Sequence, residues 1–235
     1  MDIEKFIELC GDETDHKQIT MKTLYCEAWK SWLDDYKEKE SQEPRVLELK
    51  RLGLTAEDGF FIWSYTGSSS GWLNSEKRNG KNYSSECQRQ FAINLSDALL
   101  KIDPYVGTAY RWEEADDKLK KFNWFKQNIG LNVTVPYFLS TSKDDCTADP
   151  MIWEIQTMIG GKARDISGIS NALCEQEILF LPDAKFRITG VGEDERTIYL
   201  QEIDASEEIN FELSKVYYFC SNDIDQEMIE PGLFD

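Results

Sequence analysis

Three groups of residues in this chain could carry chemistry without histidine or metal. Arg111 closes the apolar run "VGTAYR". Ser140, Thr141 and Ser142 end the stretch "YFLSTS". Glu175 and Glu177 flank Gln176 just ahead of the apolar run Ile178-Leu179-Phe180. A strand-end arginine presents a planar fork of donors suited to phosphate or carboxylate. Hydroxyls at a strand end can orient a neighbouring carboxylate. Two glutamates two apart on a strand project from one face, roughly 7 Å apart. Each group alone is equally consistent with a salt bridge, a strand cap or a solvated turn. The Glu-x-Glu spacing occurs three times, at Glu38/Glu40, Glu175/Glu177 and Glu193/Glu195. Only the middle pair leads straight into an apolar run, where like charges raise at least one pKa and need a cationic or hydroxyl-rich partner.

The rest of the composition narrows the chemistry. The single histidine, His16, lies in a polar N-terminal stretch, which excludes Ser-His-Asp, Cys-His and His-rich metal sites. Six cysteines, Cys10, Cys26, Cys87, Cys146, Cys174 and Cys220, are widely spaced with no C-x-x-C pair, so free thiols in a reducing compartment are expected. No metal is expected. The net charge of −18 opposes general attraction to nucleic acid or anionic lipid. One local exception is "DKLKKFNWFKQ", where Lys118, Lys120, Lys121 and Lys126 interleave with Phe122, Trp124 and Phe125. It reads as a connecting helix or as a surface that stacks bases and holds phosphates. No run of about 18 apolar residues exists and the N-terminus lacks a signal-peptide pattern. The expected location is the cytoplasm, or outside the producing cell as an effector exported without such a signal.

The elements that must position these residues fall into two textures. Residues 18–40 carry apolar side chains at helical spacing, from Met21 and Leu24 to Leu33 and Tyr36. "KESQEPR" breaks the pattern at 39–45 and divides the chain into an N-terminal helical segment, 1–43, and a catalytic domain, 44–235. A helix is predicted from Thr55 to Gly67 and another over 83–102. Short β-rich runs follow: "YVGTAYRW", "NVTVPYFLSTS", "MIWEIQTMI", "EQEILFL", "KFRITGV", "TIYLQEI" and "KVYYFC". Residues 171–191 read as a β-hairpin turning at Pro182-Asp183. Helices first and strands later predict an α+β fold with a mixed or antiparallel sheet.

In the order arginine, Ser-Thr-Ser, Glu-x-Glu, the chain resembles the mono-ADP-ribosyltransferases of the arginine/serine/glutamate class, which include bacterial exotoxins and arginine-specific enzymes. The resemblance runs from roughly residue 52 to 200. "LTAEDGFFIWSYTGSSSGWLNSEKR" is similar to the family's opening helix, with Tyr65, Thr66, Asn74 and Arg78 at recognisable places. "VGTAYRW" is similar to the strand of the NAD-binding arginine, "PYFLSTSKD" to the aromatic-x-Ser-Thr-Ser strand, and "ARDISGISNALCEQEILFLPDAKFRITGV" to the loop and strand of the glutamates. The resemblance implies N-terminal helices followed by a β-sandwich around an NAD cleft. It implies that Arg111 holds the NAD phosphates, with Tyr110, Thr141, Ser142, Tyr65 and Arg78 also at the NAD site. Ser140 would orient Glu177, which would stabilise positive charge at the ribose as nicotinamide leaves. Glu175 would position and deprotonate an acceptor guanidinium, and a glutamate there goes with arginine acceptors in the family. The implied partners are a protein bearing that arginine and, for a toxin, an immunity protein; no membrane is involved.

The chain departs from the family at three places. Trp112 stands where a glycine often follows the arginine. "KDDCTADPMIW" lacks the pattern common after the serines, and the loop "GGKARDISGISN" carries no aromatic to grip a target. The histidine/tyrosine/glutamate class is disfavoured, because it needs histidine where this chain has Arg111. Transfer to nucleic acid, NAD hydrolysis, and a degenerate fold serving only as a binding module are the alternatives. The last would be expected to have lost Arg111 or Glu177.

Overall fold

A computed structural model of the chain describes residues 2–11, 21–38, 43–113, 118–145 and 151–214. His16, Cys146, Cys220 and the run "KVYYFC" lie outside them. The chain divides into two compact units, each of which threads in and out of the other in sequence. The helical unit comprises Met1–Glu76, Lys81–Asp103 and Ile166–Cys174; the sheet unit comprises Lys77–Gly80, Pro104–Asp165 and Glu175–Asp235.

Aromatic residues at helical spacing build the helical unit. Its helices are α1 (Ile3–Cys10), α2 (Met21–Glu38), α3 (Pro44–Arg51), α4 (Ala56–Ser64), α5 (Ser70–Arg78, whose last turn belongs to the sheet unit) and α6 (Glu86–Leu99). Phe6 of α1 meets Tyr25, Phe61 and Phe91 edge-on, with ring centroids 5.2, 5.2 and 5.9 Å away. Thr55 caps α4 in a reciprocal box with Asp58. Gly59 lets α4 approach its neighbours: a Cβ there would come within 2.6–2.8 Å of Leu49 and Trp32. The predicted stop at Gly67 does not occur. Tyr65–Ser69 form a π-helical turn that carries α4 directly into α5. The wide turn is held by side chains: Tyr25 Oη and Ser69 Oγ are 3.0 Å apart, and Asn74 Nδ2 donates to Tyr65 Oη at 3.1 Å.

The expectation of six free thiols is overturned. Cys10 and Cys87 form a disulfide across 77 residues, joining α1 to α6. Such a separation leaves no local spacing signal, since the pair meets only through helix packing. Cys26 and Cys174 are free.

Among the described residues, the sheet unit holds nine strands in one mixed sheet. They are β1 (Thr108–Glu113), β2 (Asn132–Val135), β3 (Leu139–Ser142), β4 (Met151–Gln156), β5 (Ala163–Asp165), β6 (Glu177–Phe180), β7 (Ala184–Val191), β8 (Thr197–Glu202) and β9 (Phe211–Glu212). Their order is β5-β6-β3-β1-β4-β8-β7-β2-β9, with β4/β8 and β2/β9 parallel and the remaining neighbours antiparallel. The helix α7 (Lys118–Gln127) sets Phe122, Trp124 and Phe125 into the core of this unit. Those rings are buried and present no stacking surface to nucleic acid.

Residues 171–191 are not a hairpin. β6 lies between β5 and β3, and β7 between β8 and β2, so both edges of each strand are already paired. The three residues Leu181-Pro182-Asp183 cross between separate parts of the sheet, with Asp183 at φ 57°. Phe180 and Phe186 then meet edge-on at 5.4 Å instead of lying side by side on paired strands. Lys162 Nζ secures the crossing by donating to the carbonyls of Pro182 and Asp183 at 2.6 and 3.1 Å.

The disulfide gives a stability prediction. Closing a loop of this length removes about 4–5 kcal/mol of chain entropy from the unfolded state. Reduction, or replacing both Cys10 and Cys87 with serine, should lower unfolding stability by up to that amount. Guanidinium titrations with and without dithiothreitol measure it, and coincident midpoints would refute the bond.

Candidate active site

β3 is the organising strand, because it pairs antiparallel with β1 on one side and β6 on the other. Each of its three hydroxyls bonds to a different part of the glutamate segment. Ser140 Oγ donates to Glu177 Oε1 at 2.7 Å. Thr141 Oγ1 donates to the Ile178 carbonyl, and Ser142 Oγ to the Glu175 carbonyl, each at 2.7 Å. The backbone adds Lys143 N–H to the Gln176 carbonyl at 3.0 Å. The Ser-Thr-Ser run thus fixes the height and direction of the whole Glu-x-Glu stretch.

The two glutamates do not share a strand face. Glu175 ends a 3-10 turn, Leu173–Glu175, and Gln176 has a left-handed φ of 48°. That residue breaks the strand alternation on which the side-by-side expectation rested. Glu177 opens β6 and is only 3% exposed, whereas Glu175 is exposed. Among the described residues, the Glu175 carboxylate makes no hydrogen bond. One carboxylate is therefore oriented and partly desolvated, and the other stands free in water.

Arg111 reaches the same serine from the other side. Its Nη1 donates to the Ser140 carbonyl at 2.8 Å and its Nε to Glu113 Oε1 at 2.6 Å. Ser140 therefore joins Arg111 to Glu177 by backbone on one hand and hydroxyl on the other. Beside Arg111 lies Tyr137, buried at 2% exposure, with the Arg78 guanidinium 5.3 Å above its ring. Burial pushes the Tyr137 phenol above its usual pKa, and the Glu113 charge adds to that, while Arg111 and Arg78 oppose it. The charges of Arg78, Arg111 and Glu113 thus all act on one ring. Sequence reasoning missed Tyr137, although it immediately precedes the aromatic-x-Ser-Thr-Ser run. Tyr65 belongs to the helical unit, where its hydroxyl serves Asn74.

Tyr110, Arg111, Trp112, Ser140, Thr141, Ser142 and Glu175 line one cavity of about 100 Å³. Tyr110 pairs directly with Ser142, and Ser142 with Glu177. Burial raises the Tyr110 phenol pKa, and the negative charges of Glu154 and Asp145 raise it further.

Residues 27–209 match the ADP-ribosyltransferase exoenzyme family. The chain belongs to that family. Among curated proteins, Vis of Vibrio splendidus (strain 12B01), which carries the name of an NAD(+)–arginine ADP-ribosyltransferase, is 32% identical over 126 residues, 48% of each chain. The match spans about half the length of that relative. Two solved structures show the same fold. Plx2a, an ADP-ribosyltransferase toxin from Paenibacillus larvae, is 20% identical with a TM-score of 0.56, covering 76% of this chain and 96% of its own. Vis in complex with agmatine is 20% identical with a TM-score of 0.50, covering 79% and 89%. This exoenzyme-family chain therefore has the α+β ADP-ribosyltransferase fold, with its sheet curled around a packed aromatic and aliphatic core.

A hydrogen bond to a buried carboxylate contributes about 1.5–3 kcal/mol. A double-mutant cycle on Ser140→Ala and Glu177→Gln should show a coupling of at least 1 kcal/mol in unfolding free energy. Additivity within about 0.3 kcal/mol would mean that the two side chains do not act together.

Proposed function

We propose that this chain transfers ADP-ribose from NAD to the guanidinium of a protein arginine, with Glu177 serving the ribose and Glu175 the acceptor. The observation that carries this reading is the separation of the two carboxylates. Glu177 is buried and held by Ser140, while Glu175 is exposed two residues away on a turn. The family membership supplies ADP-ribosyl transfer. The name of Vis and its complex with agmatine, a small guanidinium compound, support an arginine acceptor.

The residues present suit a dinucleotide with two phosphates. Arg78 lies over the Tyr137 ring and the Arg111 charge acts on the same phenol, so two guanidiniums bear on one region, and guanidinium forks match phosphate oxygens. Arg111 is paired with Glu113, so phosphate binding has to share or replace that contact. Nicotinamide bound to ribose is already a good leaving group, so no strong acid is needed. The demand falls on stabilising positive charge at the ribose carbon as that bond breaks. A fixed carboxylate in a site shielded from water does this best, because its charge is not screened and need not reorganise. Glu177 meets both conditions. Ser140 keeps one of its oxygens occupied and so fixes the direction in which the other points.

The acceptor has the opposite requirement. A guanidinium has a pKa above 12 and is a poor nucleophile until a carboxylate orients it and accepts its proton. Glu175, exposed and without a hydrogen-bonding partner among the described residues, can approach a side chain arriving from solvent. As the guanidinium nitrogen bonds to the ribose carbon, its proton passes to Glu175 and the nicotinamide bond breaks. Water in place of guanidinium would give NAD hydrolysis. Transfer to nucleic acid has less support, since the aromatic rings of α7 are packed in the core.

The two glutamates should separate the two reactions. Glu177→Gln should lower both NAD hydrolysis and transfer by about 10²–10³. Glu175→Gln should abolish transfer to agmatine while leaving most of the hydrolysis. Nicotinamide release with and without agmatine measures both. A Glu175→Gln variant that modifies agmatine at the wild-type rate would overturn the arginine-acceptor assignment.

A further inference from the structure

We infer that Trp112, with Tyr110 beside it, grips the acceptor guanidinium by its ring face and so takes over the aromatic contact that the loop ahead of the glutamates lacks. This rests on the arginine-acceptor reading above. Tyr110 and Trp112 are two apart on β1 and project from the same side of it. They line one cavity with Ser142 and Glu175, the carboxylate assigned to the acceptor. At about 100 Å³ this cavity is far smaller than the roughly 300–1,000 Å³ of pockets that enclose a drug-sized ligand. It is the size of a niche for one side-chain end.

Its charge fits a cation. Glu175 lines it, and Glu154 and Asp145 lie close enough to Tyr110 for their charges to act on its phenol. Among the residues that line it Arg111 is the cationic one, and its charge is met by Glu113 and, in the reading above, by the NAD phosphates. A guanidinium between a carboxylate and an aromatic face gains both Coulomb and cation–π attraction. The indole itself is the third observation. Trp112 Nε1 is buried and makes no hydrogen bond among the described residues. An unpaired buried donor destabilises a fold, so phenylalanine or leucine would fill this volume better. The indole is thus not the best filler of this volume, and as part of the niche wall it offers an aromatic surface to whatever enters. The segment Ile166–Cys174, by contrast, contains no aromatic residue.

The test compares acceptor with NAD. Trp112→Leu removes the ring and should raise the agmatine KM about tenfold, the size of a desolvated cation–π contact, while the NAD KM and NAD hydrolysis stay within twofold. Trp112→Phe keeps a ring and removes the unpaired donor, so it should fold at least as well and hold the agmatine KM within about threefold. A binding readout that needs no disabled variant is 19F NMR of the wild-type protein carrying 5-fluorotryptophan. The Trp112 resonance is the one missing from Trp112→Phe, and agmatine should shift it. An unchanged agmatine KM in Trp112→Leu overturns the grip, as does an equal rise in both KM values. A Trp112 resonance that ignores agmatine overturns it even if the leucine variant fails to fold. If the wild-type protein cleaves NAD but never modifies agmatine, the arginine-acceptor reading falls and takes the grip with it. Transfer by wild type with no effect of Trp112 removes the grip alone.

Discussion

A carboxylate with 3% exposure, opening a strand buried along its whole length, is the constraint on which the site depends. Left without donors, a buried charge costs several kcal/mol, and the group would take up a proton or turn outward. Ser140 supplies a donor to Glu177 and an acceptor to Arg111 in one residue. Its position is fixed because β3 has a neighbour on each side, with Ser142 facing Tyr110 across one ladder and Glu177 across the other. A terminal strand could not do this. The hydroxyl run needs strands on both sides, and the order β6-β3-β1 puts glutamate, serine and arginine on adjacent strands.

The glutamate segment is where two physical demands conflict. A regular strand would give both carboxylates the same surroundings, and two like charges on one buried face would raise one pKa at the other's expense. The left-handed Gln176 avoids this by ending the strand between them. Ser142 and Lys143 hold the carbonyls of Glu175 and Gln176, so the kink is fixed by β3 and does not depend on the glutamate side chains. Upstream, Thr66 Oγ1 in the π-helical turn accepts the Asn171 N–H at 2.8 Å. The loop ahead of Glu175 is thus tied down four residues before that carboxylate.

Much of this was legible in the sequence, for definite reasons. The period of Met21, Leu24, Tyr25, Trp32 and their neighbours marked α2, and the start of α4 was read at Thr55. The β-rich runs marked most of the strands, because apolar alternation and turn residues are local signals. The order of Arg111, Ser140 and Glu177 was readable since each motif is short and contiguous. What failed was long-range or conformational. Pro182-Asp183 looked like a hairpin turn because turn chemistry does not reveal which edges of the flanking strands are already paired. Gln176 carries no mark of a left-handed φ, as glycine would. The Cys10–Cys87 bond and the Arg78–Tyr137 contact join residues 77 and 59 positions apart, beyond any window of periodicity. Trp112 was noticed as a departure, yet its neighbours in the cavity could be seen only once β1 and β3 were paired.

The distances that matter at this site run across strands, between residues 29 and 37 apart in the chain. The sheet sets these distances and the intervening polypeptide does not. The loops between β1 and β3 and between β3 and β6 can therefore lengthen, shorten or change composition without moving Ser140 relative to Arg111 or Glu177, provided that α7, β2, β4 and β5, which lie in the same stretches, keep their places in the core and the sheet. Within Leu139–Ser142 there is no such freedom, because a one-residue slip would turn Ser140 to the opposite face. Sequence drift in a fold of this kind is channelled into the connections, which is how a chain sharing a fifth of its residues with Plx2a over the matched region can retain the same fold.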